Sequence, residues 1–388
     1  MTRALRFVTV RGMDSGLTRR TTLLSGIGTL GAAGVVARTG AAREGAEATS
    51  VASLTHLTAR QQAGQRVIWS YPGASVPQAL LDAATRGEVG GVIFFGENIP
   101  DKPTVAEACR RLRAAHASGP ARGLPLVLTT DQEGGTVRRL PGAPEPSAKQ
   151  VGASPDPATA ARIAGDGAGR NLRSVGMNLN LAPVLDVFRE PGNFDDQFGR
   201  SFSRDPRVVA TCGAAFAAAQ RRTGVASTLK HFPGLGAAPA GANTDLTPVR
   251  LDVPLAELRR VDEAPFGEVV RSGAELVMGS WAIYPALDAD RPAGLSSRWL
   301  RGELRGRLRF GGVTITDALE AGSLSAYGDD GQRAVLAAEA GMDMLLASGR
   351  DVEQGRAVVD ALTASQRRLT PQWYAALLRV AAMRRRLP

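Results

Sequence analysis

The segment that decides the fold comprises residues 225–247 and reads VASTLKHFPGLGAAPAGANTDLT. Its first five residues are small, β-branched and apolar, as expected of a buried strand. They lead into Lys230 and His231, and the following loop is too rich in Gly, Ala and Pro to form a helix or a strand. The chain has only three lysines and three histidines, so this adjacency is not an effect of composition. The segment predicts a cation and an imidazole at the edge of a sheet, beside a long loop.

Apolar segments of the same kind occur along the whole chain and alternate with helical segments. Each is a short run that ends in Gly or polar residues, as strands buried on both faces of a parallel sheet should. Eight such units over roughly three hundred residues favour an α/β fold, a (β/α)8 TIM-like barrel in a single catalytic domain, over an open doubly wound sheet. The predicted strands are residues 67–71, 91–96, 124–130, 177–184, 225–229, 274–279, 312–316 and 342–346.

The composition is that of an ordinary globular protein, since 44% of the 388 residues are hydrophobic and 22% are charged. The net charge of +10 is carried almost wholly by arginine, and seven arginines against three acids precede Ala48. No Lys/Arg cluster is interleaved with aromatic residues, so nucleic-acid binding is not predicted. The two cysteines, Cys109 and Cys212, lie in helix-like sequence and are expected to be buried free thiols.

The amino-terminal segment is predicted to be a targeting signal and not part of the folded domain. Arg19 and Arg20 precede a weakly apolar Gly/Ala run, residues 26–37, that is too short to span a membrane. Such a pair is typical of an export signal for folded proteins, and a disordered basic tail is the alternative. We therefore predict a twin-arginine-type export signal and linker in residues 1–46, and the catalytic barrel with its C-terminal helix in residues 55–388. The protein is expected to be extracellular or cell-wall associated, without a stable membrane anchor.

Polar residues follow several of the predicted strands directly. In (β/α)8 barrels the carboxyl ends of the strands carry the site, so residues that are distant in sequence are expected to meet there. Each also has a structural alternative: a Lys-His pair beneath a surface loop, an Asp-Arg pair that closes a turn, or an Asp that caps a helix. The residues expected to converge are Asp131, Asp186, Lys230, His231 and Asp317.

Taken together, these segments resemble the single-domain bacterial β-N-acetylhexosaminidases of glycoside hydrolase family 3. The likeness covers residues 55–350 in the same order. It rests on seven motifs: GVIFFGEN (91–98), TDQEGG (130–135) with Arg139, NLNLAPVLDV (178–187), GRSF (199–202), KHFPG (230–234), YPALD (284–288) and GVTITD (312–317).

The resemblance implies a retaining glycosidase in which Asp317 is the nucleophile that forms a glycosyl-enzyme. Such an enzyme needs an ionised carboxylate and a proton donor about 5 Å apart. Lys230 and the arginines are expected to help to keep Asp317 ionised. The resemblance implies no metal and no organic cofactor. It implies that the terminal N-acetylhexosamine is bound by Asp131, Arg139, Arg200, Lys230 and His231.

The proton donor is where this sequence departs from the family pattern. Members typically carry Asp-Ser-His in the loop after Lys-His-Phe-Pro-Gly, and that His is the acid and base. Here the triplet is Asp245-Leu246-Thr247, and Leu235 replaces a second His. Asp245 can itself be the acid/base if loop closure raises its pKa. Alternatively, Glu133, Glu320 or a substrate group donates the proton, or the protein hydrolyses slowly or only binds sugar.

The sequence therefore predicts an exported, exo-acting, retaining β-N-acetylhexosaminidase that removes terminal β-linked N-acetylglucosamine, with Asp317 and Asp245 as catalytic residues. Its partner is expected to be a small carbohydrate from peptidoglycan fragments, and the protein is expected to be a monomer. Three alternatives stay open: another β-glycosidase of the same family, a sugar-binding protein without turnover, and a Schiff-base lyase that uses Lys230.

Overall fold

A computed structural model describes residue 54, residues 56–365 and residues 370–388. The predicted export signal and linker, residues 1–46, lie outside the described residues. Among the helices that the structure describes, none has both the length and the apolar character required to cross a bilayer.

Eight parallel strands close into a barrel in which each strand pairs with its neighbours in chain order. The first and last strands pair with each other, Val67 opposite Leu345 and Ile68 opposite Leu346. The predicted TIM-like barrel is thereby confirmed. Its strands are β1 (Val67–Trp69), β2 (Gly91–Ile93), β3 (Val127–Thr130), β4 (Leu179–Asn180), β5 (Ala226–Phe232), β6 (Leu276–Gly279), β7 (Val313–Ala318) and β8 (Met344–Leu346).

Three strands differ in length from the prediction in ways that affect the site. β5 extends to Phe232, which lies opposite Gly279 of β6. β7 extends to Ala318, so Asp317 belongs to a strand and not to a loop. β4 is only two residues long, and Pro183, which has no N–H for the ladder, lies three residues beyond its end. The two extensions hold the predicted site residues on rigid backbone.

Helices surround the barrel, and several begin with a polar cap followed by Pro in the first turn. The predicted helices at 255–271 and 297–308 include π-helical turns, at Leu258–Asp262 and Arg298–Arg307. The α-helices are Ala59–Gly64, Gln78–Thr85, Lys102–Ala117, Ala148–Gly152, Pro157–Ser174, Phe194–Gln197, Pro206–Arg222, Leu255–Glu257, Glu263–Arg271, Asp330–Ala340, Val352–Ala364 and Pro371–Arg384.

Two short antiparallel hairpins lie outside the barrel and were not predicted. One pairs Ile283–Tyr284 with Asp288–Pro292, and the other pairs Gln132–Gly134 with Val137–Arg138 just after β3. In the second hairpin the backbone of Gly134 has φ +118°, and a Cβ there would lie 2.3 Å from a carbonyl oxygen of the Pro-rich loop that follows. The glycine is therefore required for this turn.

The floor of the barrel is closed by the last helix, Pro371–Arg384. Val380 and Met383 join the apolar side chains that fill the barrel interior. Arg384 is buried and donates to Pro125 O at 2.7 Å and to Gln65 Oε1 at 2.6 Å. These partners precede β3 and β1, so the helix covers the end at which the strands begin. The opposite end is left open for a ligand.

Candidate active site

A cleft of about 520 Å³ opens at the carboxyl ends of the strands. Its volume is in the range of small-molecule sites. The fold brings together all of the residues that the sequence assigned to binding or catalysis, from β3, β4, β5 and β7 or the loops that follow them. Those that line the cleft are Asp131, Arg139, Arg200, Lys230, His231, Asp245 and Asp317.

A network of buried charges forms the base of the cleft. Lys230 Nζ contacts Asp131 Oδ1 and Glu133 Oε1, both at 2.7 Å. Arg200 donates through Nε and Nη2 to the two carboxylate oxygens of Glu133, each at 2.9 Å. The third nitrogen, Nη1, donates to Asp195 Oδ1 at 3.1 Å. This bidentate arrangement fixes both cations in the cleft.

Glu133 is held as a carboxylate by these cations. Burial raises the pKa of Glu133, but Arg200 and Lys230 outweigh burial and lower the pKa to about 2. Lys230 stays protonated in turn, because Asp131 and Glu133 outweigh the effect of burial and raise its pKa. Glu133 therefore has no proton to donate near neutral pH.

His231 forms a dyad with Asp186, which lies beneath the cleft and does not line it. His231 Nδ1 lies 2.6 Å from Asp186 Oδ2, and Nε2 lies 3.4 Å from Arg200 Nη2. Since a guanidinium only donates, Nε2 accepts, and the ring proton is on Nδ1, where it is donated to Asp186. Burial, with a further contribution from Arg200, lowers the pKa of His231 to about 4. The imidazole is therefore neutral and is a poor proton donor.

Asp195 is a fully buried carboxyl group that the sequence analysis did not identify. Its Oδ2 has no hydrogen-bond partner among the described residues. Asp186, Asp195 and His231 each offer one ligand atom within 4.8 Å of the others, which is close enough to hold a metal ion. A metal would have to replace the Asp186–His231 hydrogen bond. Without a metal, a proton on Asp195 relieves the repulsion between the buried carboxyl groups of Asp186 and Asp195.

Asp195→Asn is expected to flatten the dependence of stability on pH. Burial, helped by Asp186, raises the pKa of Asp195 to about 7. The folded chain therefore holds a proton that the unfolded chain releases near pH 4, and stability falls as the pH rises from about 4 to 7. Between pH 4 and pH 7 we expect the free energy of unfolding of the variant to decrease by at least about 1 kcal/mol less than that of the wild type. Denaturant unfolding at pH 4, 5.5 and 7 measures the two decreases.

Asp262 and Glu263, whose pKa values burial also raises to about 7, contribute to the slope in both proteins. The difference between wild type and variant therefore reports Asp195 together with the two groups whose pKa values it affects, Asp186 and His231. An identical slope in the two proteins would show that Asp195 is not the group that binds this proton.

Asp317 is partly buried near the end of β7, and its Oδ1 accepts the N–H of Ala318 at 2.8 Å. The sequence led us to expect that cations would help to keep it ionised. Burial and the neighbouring Asp245 raise its pKa, Lys230 lowers it, and the net result is a raised pKa. The expectation left out both burial and the second carboxyl group.

Asp245 reaches the cleft from the loop after β5, and its side chain remains accessible to solvent. Backbone bonds attach this loop to the segment after β7: Gly322 N donates to Asp245 O at 2.7 Å, and Ser323 N donates to Thr244 O at 3.2 Å. A Cβ on Gly322 would lie 2.2 Å from a backbone oxygen of this loop, so the close approach requires glycine. The loop is therefore held beside the strand that carries Asp317.

The pKa of Asp245 is raised. Partial loss of solvent in the cleft raises it, Arg200 and Lys230 lower it, and Glu320 and Asp131 raise it further. Asp245 in turn raises the pKa of Asp317. Such a pair loses its two protons in separate steps, so one group can be ionised while the other keeps its proton.

The remaining candidate proton donors are less suitable. Glu320 lines the cleft, but its carboxylate accepts hydrogen bonds from Ser348 Oγ at 2.7 Å, from Ser348 N at 3.3 Å and from Gln354 Nε2 at 3.0 Å. His56 Nε2 contacts Pro120 O, and His116 Nε2 contacts Leu124 O. Neither histidine lines the cleft.

Arg139 differs from the other cations of the cleft. Its side chain is exposed, and within the described residues it has neither a hydrogen-bond partner nor an ion-pair partner. Only its backbone N–H is engaged, by Asp131 O at 3.2 Å. The guanidinium is therefore free to donate to a bound ligand.

Comparison with known proteins identifies the family of the chain. The family model for the N-terminal domain of glycosyl hydrolase family 3 matches residues 64–380. A protein of Arthroderma benhamiae named "Uncharacterized secreted glycosyl hydrolase" is 52% identical over 311 residues, which are 80% of this chain and 87% of that protein. A protein of Pseudomonas aeruginosa named "Beta-hexosaminidase" is 35% identical over 259 residues, 66% of this chain and 74% of that protein.

Solved structures show the same relationship. A family 3 β-N-acetylglucosaminidase from Paenibacillus sp. superposes with a TM-score of 0.79 at 34% identity, covering 85% of this chain, and this chain spans 62% of that protein. A β-N-acetylhexosaminidase from Beutenbergia cavernae superposes with a TM-score of 0.73 at 35% identity, covering 84% of this chain and 97% of its own. The chain therefore belongs to glycosyl hydrolase family 3 and is a glycoside hydrolase.

Proposed function

We propose that the protein is an exo-acting, retaining β-N-acetylhexosaminidase that removes terminal β-linked N-acetylglucosamine from peptidoglycan fragments. The observation that carries this proposal is that two carboxyl groups, Asp317 and Asp245, line one cleft together with Lys230, Arg200 and Arg139. The names of the Pseudomonas, Paenibacillus and Beutenbergia proteins support the choice of sugar.

In the first step, Asp317 attacks the anomeric carbon while Asp245 donates its proton to the leaving oxygen. The glycosidic bond breaks, and the sugar becomes covalently attached to Asp317. In the second step, Asp245, now a carboxylate, takes a proton from water, which displaces Asp317 and restores the starting protonation states. Two inversions give overall retention of the β configuration.

The cations and their partners are proposed to bind the terminal sugar. Arg139 has free donors. Lys230 and Arg200 are held in place by carboxylates. One of these carboxylates, Asp131, also offers acceptor oxygens to a ligand. A polyol needs donors and acceptors at fixed positions, and the buried network supplies both without rearrangement. His231 presents Nε2 beside Arg200 and completes this half of the cleft.

The Schiff-base alternative is disfavoured by the surroundings of Lys230. A nucleophilic lysine requires a neutral amine, which proteins obtain by lowering its pKa. Here two carboxylates at 2.7 Å raise the pKa instead. The sugar-binding alternative shares the whole site with the proposed enzyme, so turnover has to distinguish the two.

Export is proposed separately from the chemistry. The twin arginines, Arg19 and Arg20, favour it, and the Arthroderma relative, whose name includes the word secreted, supports it. Cell fractionation with the Arg19→Lys, Arg20→Lys double variant tests this proposal, because a twin-arginine signal should lose export while the folded enzyme accumulates inside the cell.

The proposed activity is tested by a screen of nitrophenyl β-glycosides with and without phosphate. We expect turnover of the β-N-acetylglucosaminide without phosphate, with the β-anomer of the sugar released first, as NMR can follow. Binding of N-acetylglucosamine without turnover of any nitrophenyl substrate would favour a sugar-binding protein. A first product of α configuration would contradict the retaining mechanism.

A further inference from the structure

The mouth of the cleft has two unlike halves. The charged residues come from β3, β4 and β5 and the loops after them, and Asp317 comes from β7. The arc between β7 and β3 on the other side of the barrel comprises the loops after β8, β1 and β2. Its lining includes Phe95 from the loop after β2 and Arg350 from the loop after β8. Neither has a role in the proposed reaction.

Phe95 and Arg350 form a stacked pair at the cleft. The guanidinium carbon of Arg350 lies 4.8 Å from the centroid of the Phe95 ring, within the range of a cation–π contact. The phenyl ring remains partly exposed, and the Arg350 side chain is 57% exposed. The pair therefore presents an apolar face and guanidinium donors to the cleft that Asp317 also lines.

The backbone around this pair is held in an unusual conformation. Arg350 has φ +58°, a left-handed conformation that a side chain other than glycine adopts at a cost. Its N–H donates to Ser70 Oγ at 2.8 Å, which ties the loop after β8 to the loop after β1. Glu97 Oε1 lies 3.4 Å from the Arg350 guanidinium. These contacts hold the guanidinium over the ring.

Asn98, the last residue of the GVIFFGEN segment, holds the backbone that carries Phe95. It is buried, and its Oδ1 accepts Phe95 N–H at 2.7 Å. Its Nδ2 donates to Tyr71 O at 3.0 Å and to Gly73 O at 2.6 Å. The loops after β1, β2 and β8 are thus joined into one arc, and within it the Phe95 ring and the Arg350 head group line the cleft.

We propose that this arc is the leaving-group subsite, and that it binds a second sugar ring. The C–H face of that ring would stack on Phe95, and its hydroxyl groups would accept hydrogen bonds from Arg350. The inference rests on the proposed glycosidase function, because only cleavage of a glycosidic bond requires a place for the departing sugar. The charged half of the cleft then holds the terminal sugar.

Phe95→Ala and Arg350→Gly test this subsite. Glycine suits the left-handed backbone at 350, so the second variant removes the guanidinium without strain in the loop. We expect each variant to lower kcat/KM about 10-fold for N,N′-diacetylchitobiose and for nitrophenyl β-N-acetylglucosaminide, whose leaving groups are rings. With β-N-acetylglucosaminyl fluoride, whose leaving group is one atom, we expect a change of less than about 2-fold. Inhibition by free N-acetylglucosamine should be unaltered.

Tyr374→Ala provides the matched control, because it removes an exposed aromatic ring on the last helix, away from the cleft. It should leave every substrate unaffected. Equal losses with the fluoride and with the ring-bearing substrates would place Phe95 and Arg350 in the terminal-sugar site and overturn the inference. So would unchanged kinetics with all substrates in both variants.

Failure of the proposed function gives a different result, namely a wild-type protein that turns over none of these substrates. Calorimetry then decides the subsite. Tighter binding of chitobiose than of N-acetylglucosamine, with the difference lost in Phe95→Ala, would support a second sugar position. Equal affinity of the wild type for the two sugars would overturn it.

Discussion

Replacing Asp317 with asparagine is expected to lower kcat for nitrophenyl β-N-acetylglucosaminide at least about 10⁴-fold. The amide cannot supply the negative charge that attacks the anomeric carbon. The change is close to isosteric, and the amide oxygen can still accept the Ala318 N–H that Asp317 Oδ1 accepts. Initial rates over a range of enzyme concentrations measure the loss, and circular dichroism checks that the variant is folded.

Asp329→Asn is the matched control for this experiment. Asp329 caps the helix Asp330–Ala340 by accepting from Gln332 N, and asparagine is an equally good cap. Asp329 does not line the cleft, so we expect activity within about 2-fold of wild type. In a second experiment, Asp317→Gly is given azide together with nitrophenyl β-N-acetylglucosaminide. Azide takes the place of the missing carboxylate, so the α-glycosyl azide should form. Activity of Asp317→Asn close to that of the control would remove Asp317 from the nucleophile role.

Asp245→Asn is expected to affect substrates according to their leaving groups. Loss of a general acid costs about 10²- to 10⁴-fold when the leaving oxygen must be protonated. We therefore expect kcat/KM for chitobiose to fall about 10³-fold. For nitrophenyl β-N-acetylglucosaminide, whose leaving group needs little protonation, we expect less than a 10-fold fall in the first step. The ratio of the two losses is the measurement.

Glu320→Gln is the comparison for Asp245. Both carboxyl groups line the cleft, but Glu320 is held by Ser348 and Gln354 and so is occupied as an acceptor. We expect its replacement to change both substrates by similar factors. Equal losses for the two substrates in Asp245→Asn would exclude Asp245 as the acid. A loss confined to chitobiose in Glu320→Gln would assign the proton to Glu320 instead.

Much of the barrel could be predicted because its strands are apolar on both faces and are separated by helical segments. Runs such as residues 91–96 carry that signal within themselves. The ends of the strands depend on partners elsewhere in the chain. β5 continues through His231 to Phe232 because the edge of β6 offers Gly279 as a partner, and no local pattern contains this information.

In the candidate site, too, some features could be predicted from local sequence and others depend on contacts between distant residues. The motifs brought Asp131, Lys230 and Asp317 to one end of the barrel as soon as the fold was known, because parallel strands end together. Asp195 could not be anticipated, since its significance lies in a contact with Arg200 and in complete burial. The stacking of Arg350 on Phe95 likewise joins residues from opposite ends of the chain.

The helix that closes the barrel floor also constrains how the chain folds. Arg384 bonds to Gln65 across 319 positions and to Pro125 across 259, so the contacts that seal the floor have very large sequence separations. Such long-range closure slows folding and cannot begin during most of synthesis. The native barrel is therefore completed only after the ribosome has released nearly the whole polypeptide.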